Sequence, residues 1–88
     1  MVINRQTKTI GNNRSYTIEA NNISYNQVLC VIRREDGCNT EFLYEILCNE
    51  FDMGENGYKV VSLSSKNSQN DIFYYIVLEE RNTAKKIE

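Results

Sequence analysis

The side chains that could perform chemistry are few, and they lack partners. The candidate nucleophiles are Ser62, Ser64, Ser65, Cys30, Cys38 and Cys48, and the chain contains no histidine. A serine or cysteine nucleophile needs a base to activate it, so neither a Ser–His nor a Cys–His pair can be assembled. Glu41 and Glu45 stand four residues apart and could act as a general acid and base. At that spacing on a helix, a carboxylate pair is more commonly a solvated face. Cys48 falls on the same acidic side, where carboxylates disfavour a thiolate. Three cysteines, an odd number without a secretion signal, argue against a disulfide framework, and with no CxxC pair and no histidine a zinc site would need carboxylates to complete it. There is no glycine-rich phosphate loop. These observations lead us to expect no enzyme activity, no cofactor and no metal.

Binding is the remaining reading, and charge gives it a direction. Between Glu35 and Glu55 lie Glu35, Asp36, Glu41, Glu45, Glu50, Asp52 and Glu55, without a single Lys or Arg. Such a run is most simply a solvated surface. Its functional reading is a negative face aimed at a basic groove on a partner, with Glu41, Glu45, Asp52 and Glu55 as partner-binding residues. The net charge of −2 and a sequence pI near 5.1 argue against a direct nucleic-acid or membrane-surface binder. Arg33, Arg34, Lys59 and Lys66 are scattered. The start of the chain has no signal-like apolar run, and no stretch approaches the roughly 18 apolar residues of a membrane span. A cytoplasmic protein is expected. The dozen asparagines and the absence of proline and tryptophan point to an AT-rich genome, that of a low-GC bacterium or its phage.

The elements that must carry these residues are dominated by Asp71–Glu80, DIFYYIVLEE. Ile72, Tyr74, Ile76 and Leu78 share one side of an extended strand, and Phe73, Tyr75 and Val77 the other. A strand apolar on both sides requires cover on both. Residues 25–34 repeat the pattern, with Val28, Cys30 and Ile32 opposed to Leu29 and Val31. Ser15–Ala20 alternates as a half-buried strand, and Tyr58–Ser65 reads as another. Thr40–Asp52 places Phe42, Leu43, Ile46, Leu47 and Phe51 on one helical face. Glu50 is the defect in that arc. A competing reading returns 40–48 as a strand after the Asp36-Gly37 turn, giving a mostly β chain.

The expected architecture is therefore a single small α+β domain over 15–80, a four-stranded antiparallel sheet with one helix, in the order ββαββ. Residues 1–14 read as an N-terminal arm and 81–88 as a charged tail. One helix can cover one face of such a sheet. The second face, with Leu29, Val31, Phe73, Tyr75 and Val77, would then be an interface, either for a second copy in a homodimer or for another protein.

From the helix through Gly57-Tyr58-Lys59-Val60-Val61-Ser62 to Tyr75-Ile76-Val77-Leu78, about the last 60 residues, the chain resembles a family of short uncharacterised bacterial and phage proteins. Their pattern is strand, helix, a Gly-Trp-Glu-Leu-Val-Ser-like strand and a final aromatic strand. Tyr58 stands here in place of the tryptophan and Lys59 in place of the acid. The resemblance implies the element order and no catalytic residue. In size, acidity and inferred origin the chain is also similar in kind to phage-encoded inhibitors of host defence, such as anti-CRISPR proteins. That likeness implies an inhibitor acting on a basic, nucleic-acid-binding host protein. The alternative is a homo-oligomer that binds a nucleotide or other small ligand at its interface.

Overall fold

The computed structural model describes residues 2–10, 14–34 and 40–81. These form five strands and one helix: β1 (Val2–Ile10), β2 (Arg14–Asn22), β3 (Gln27–Arg34), α1 (Thr40–Glu50), β4 (Tyr58–Ser68) and β5 (Asp71–Glu80). All five strands join one antiparallel sheet in the order β1-β2-β3-β5-β4. The four-stranded ββαββ expectation is corrected to a five-stranded, mostly β fold in the order βββαββ.

The extra strand is β1, in the stretch read above as an arm. Its run NRQTKT lacks apolar alternation because β1 lies at the sheet edge. Its two deeper anchors, Ile3 and Ile10, also have opposite numerical parity. A register shift between Ile3 and Gln6 changes the phase, so both pack against the core on the same side. A strict period of two cannot recover such a strand. The strand that alternates over Ser15–Ala20 also runs on through Asn21 and Asn22. Asn22 uses its side-chain amide to reach the carbonyls of Ser24 and Gln27 across the turn. The strand read as Tyr58–Ser65 extends to Ser68, and only Gln69-Asn70 turn the chain, since β4 and β5 pair up to Ser68–Asp71.

Thr40–Glu50 is helical, as its 3.6-residue pattern requires. Phe42, Leu43, Ile46, Leu47 and the following Phe51 are buried against Tyr16, Ile18, Ala20, Val28, Cys30, Ile32, Ile76 and Leu78 from the three inner strands. Asp36-Gly37, Asn39, Cys38 and the tail beyond Arg81 lie outside the described residues.

After the helix the chain turns back onto its own end. Tyr58 donates its backbone N–H to the Asp52 carbonyl at 2.7 Å, Gly57 to Gly54 at 3.0 Å, and Gly54 to the Asp52 Oδ1 carboxylate oxygen at 2.9 Å. A β-carbon on Gly57 would sit 1.8 Å from the Asp52 carbonyl oxygen, so this close approach requires glycine. Phe51 then meets Tyr58 edge-on, with ring centres 5.8 Å apart, which fixes the entry into β4.

Candidate functional site: two opposite surfaces

The helix covers one face of the sheet and leaves the other bare. The register aligns Leu29 with Val77, Val31 with Tyr75 and Arg33 with Phe73. Their side chains therefore stand together on the face away from α1. The five residues expected at an interface are brought together as one stripe along β3 and β5, each half-buried by its neighbours and covered by no other described element.

Charged pairs flank this stripe. Arg5 lies 3.8 Å from Glu19, Arg33 3.8 Å from Asp71 and Lys59 3.7 Å from Glu79, each across neighbouring strands. Lys66 pairs in register with Phe73 and so stands on the same face. With Arg5, Arg33, Lys59 and Lys66 against Glu19, Asp71 and Glu79, the bare face carries mixed charge close to balance. This face carries a cleft of about 280 Å³ lined by Arg5, Thr7, Thr17, Glu19, Val31, Arg33 and Phe73.

The helical layer is different. Glu41, Glu45, Asp52 and Glu55 are all exposed on it, so the four expected acidic residues share one layer of the molecule. Glu41 and Glu45 lie on the outer side of α1. Asp52 and Glu55 lie in the turn after it, where Asp52 also has a structural task through its bond to Gly54. The basic groups described on this layer are engaged in the fold. Arg34 lies with its guanidinium 4.7 Å over the Phe42 ring and donates to the Ser15 carbonyl at 2.6 Å. Lys8 meets Glu50.

Glu50 corrects the expectation of a defect in the apolar arc. It is the last residue of α1, its side chain is only 5% exposed, and its carboxylate accepts from Lys8 Nζ at 2.8–2.9 Å and from the Tyr16 hydroxyl at 2.8 Å. Asn49 Nδ2 donates to the same hydroxyl at 3.4 Å. A buried carboxylate is tolerated when it is paired and hydrogen-bonded. The sequence signal was present in Lys8, but its side was hidden by the irregular β1. Burial, together with the bond to Glu50, raises the Tyr16 pKa from 10.0 to about 12.

Among the described residues, none of the nucleophile candidates is placed beside a histidine-like base, and Cys38 lies outside them. Cys30 is buried, and desolvation first, then the Glu50 charge, pushes its thiol up to about 12. Cys48 is exposed on α1. Ser62 and Ser64 stand on the bare face and Ser65 on the helical side of the edge strand β4. Among the described residues no three metal-ligating side chains converge, and no helix is long and apolar enough to cross a membrane.

No family model, curated protein or solved structure matches this chain.

A second apolar feature lies at the edge. α1 does not reach across β4, so Val60 and Leu63 remain 42% and 50% exposed. With Leu43, Tyr44, Leu47 and Ile76 they line a wholly apolar cleft of about 220 Å³. The outer edge of β4 carries the usual guards against strand addition, a bulge between Val60 and Ser62 and the lysines 59 and 66.

Proposed function

We propose that this chain is a non-enzymatic protein-binding module, an inhibitor of the phage or mobile-element kind that occupies a basic, nucleic-acid-binding surface of a host protein. The observation that carries this reading is the segregation of charge. Glu41, Glu45, Asp52 and Glu55 are exposed on the helical layer, where Lys8 and Arg34 are engaged in the fold, whereas on the opposite face of the sheet Arg5, Arg33, Lys59 and Lys66 nearly balance Glu19, Asp71 and Glu79. A chain of net charge −2 thereby offers a partner a surface more negative than its composition implies. Complementary potentials of this kind speed encounter and select partners.

The test immobilises the chain and captures proteins from a bacterial lysate at about 50 mM salt, where screening is weak. The expected result is a basic protein that is retained, that elutes as salt rises toward about 300 mM, and whose nucleic-acid binding the soluble chain inhibits. The double variant Glu41→Lys/Glu45→Lys should lose at least tenfold in affinity for it. Retention unchanged by that charge reversal would sink the proposal.

A second reading, a binder of a nucleotide or similar small ligand, draws support from the cleft of Arg5, Thr7, Thr17, Val31, Arg33 and Phe73, in which Glu19 lies beside Arg5. Two guanidinium groups, two hydroxyls and one aromatic ring suit a phosphate and a flat base. On that reading, millimolar nucleotide raises the melting temperature of the wild type and leaves Arg33→Gln unmoved.

A further inference from the structure

We infer that the bare sheet face takes a second copy of this chain, packed face to face as a two-layer sandwich with the helices outside. The stripe of Leu29, Val31, Phe73, Tyr75 and Val77 is the inner layer of a core that one copy leaves half built.

The register carries the geometry. A twofold axis running along the strands between β3 and β5 exchanges those two strands between copies. Leu29 of one copy then faces Val77 of the other, Val31 faces Tyr75, and the Arg33 guanidinium faces the Phe73 ring, each pair occurring twice. Apolar rows meet apolar rows, Arg33 at one end meets an aromatic face, and at the other end Glu79 faces the Gln27 amide. The same axis lays β2 over β4. The carboxylate of β2 on this face, Glu19, is level with Val31, Tyr75 and Ser64, so it lies over Ser64 of the other copy, one inward-facing position from Lys66, on a strand that has no acid. A rim of near-balanced charge fits a copy of itself better than it fits a partner of one sign.

The area is sufficient. Four strands at about 4.8 Å and eight residues at about 3.3 Å give roughly 500 Å² per copy, and so roughly 1,000 Å² for the pair, the threshold that a biological interface should reach. The edge is a poorer site for a second copy. Pairing β4 with itself about Leu63 would set Val60, on the helical side, opposite Lys66, on the bare side, because the bulge reverses the alternation between them.

The inference stands apart from the role of the acidic layer, and the dimer would display two such layers on opposite outer surfaces. The test is the mass in solution, by light scattering behind a sizing column over a hundredfold range of concentration. The expected mass is twice 10.3 kDa. Val31→Lys should raise the dissociation constant at least tenfold. So should Ser62→Lys, an exposed position on the edge strand that the monomer tolerates. Circular dichroism verifies the fold of each, and the Ser62 variant decides if the Val31 variant misfolds. A wild type of 10.3 kDa at every concentration, or a dimer that the folded variants leave intact, overturns the inference. Failure of the acidic-layer proposal would leave the mass unchanged, so the two are separable.

Discussion

At the scale of single residues, the most consequential group is Glu50. Its carboxylate ties the end of α1 to β1 through Lys8 and to β2 through the Tyr16 hydroxyl. Glu50→Ala should destabilise the fold by roughly 1–3 kcal/mol, because it strands a buried hydroxyl and frees a lysine, and chemical denaturation would measure the loss. Gln69 holds φ at 55°, the left-handed region that side chains with a β-carbon rarely adopt. Gln69→Gly should therefore stabilise the β4–β5 turn by about 1 kcal/mol, read as a higher denaturation midpoint. The buried Tyr16 and Cys30 set an alkaline limit. Both are held protonated by the fold, each with its pKa raised to about 12 from 10.0 and 9.0 respectively. Their contribution is complete below pH 9 and is lost as pH rises toward 12, since the unfolded chain releases these protons first. Stability should fall across that window, and Tyr16→Phe should flatten its upper part. Glu50 was read from the sequence as an error in a pattern because its partners are distant: Lys8 lies 42 positions away and Tyr16 lies 34 away.

At the scale of elements, the legible parts are those with strong periodicity. The arc of Phe42, Leu43, Ile46 and Leu47 specifies the helix, and the two-sided apolar runs of β3 and β5 mark the centre of the sheet. The stripe on the bare face was legible for the same reason: alternation alone assigns Leu29, Val31, Phe73, Tyr75 and Val77 to the side opposite the buried set. β1 was illegible because its polar side chains, its edge position and its bulge each remove part of the alternating signal. The two faces of the sheet should respond differently to truncation. Ile46→Ala under the helix opens a cavity in a fully buried site and should cost roughly 2–5 kcal/mol. Val31→Ala removes a half-buried side chain and should cost well under that in dilute protein.

At the scale of the whole molecule, the sheet separates two kinds of surface. One is acidic and carried by the helix, the other apolar with a rim of mixed charge. A chain of 88 residues has little apolar material to leave uncovered. If the bare face joins a second copy, association and folding are linked, and the melting temperature should rise with protein concentration. A midpoint constant over a hundredfold dilution would speak for a monomer. The layer bearing Glu41 and Glu45 was foreseeable from the run of acids, whereas the balance of charge on the other face was not, because it depends on which strands are neighbours.

The strand order also bears on how the chain acquires its shape. β5 follows every other strand in sequence, yet it lies inside the sheet, between β3 and β4. The pairing of β3 with β5 joins Gln27 to Glu79 and closes a loop of about fifty residues. A nascent chain can form the β1–β2–β3 meander early, but the floor beneath α1 lacks Ile76 and Leu78 until β5 has been made. Compaction is therefore expected in a late, concerted step, at the pace of a fold rich in distant contacts. Chains stopped before β5 should remain open and vulnerable to proteases.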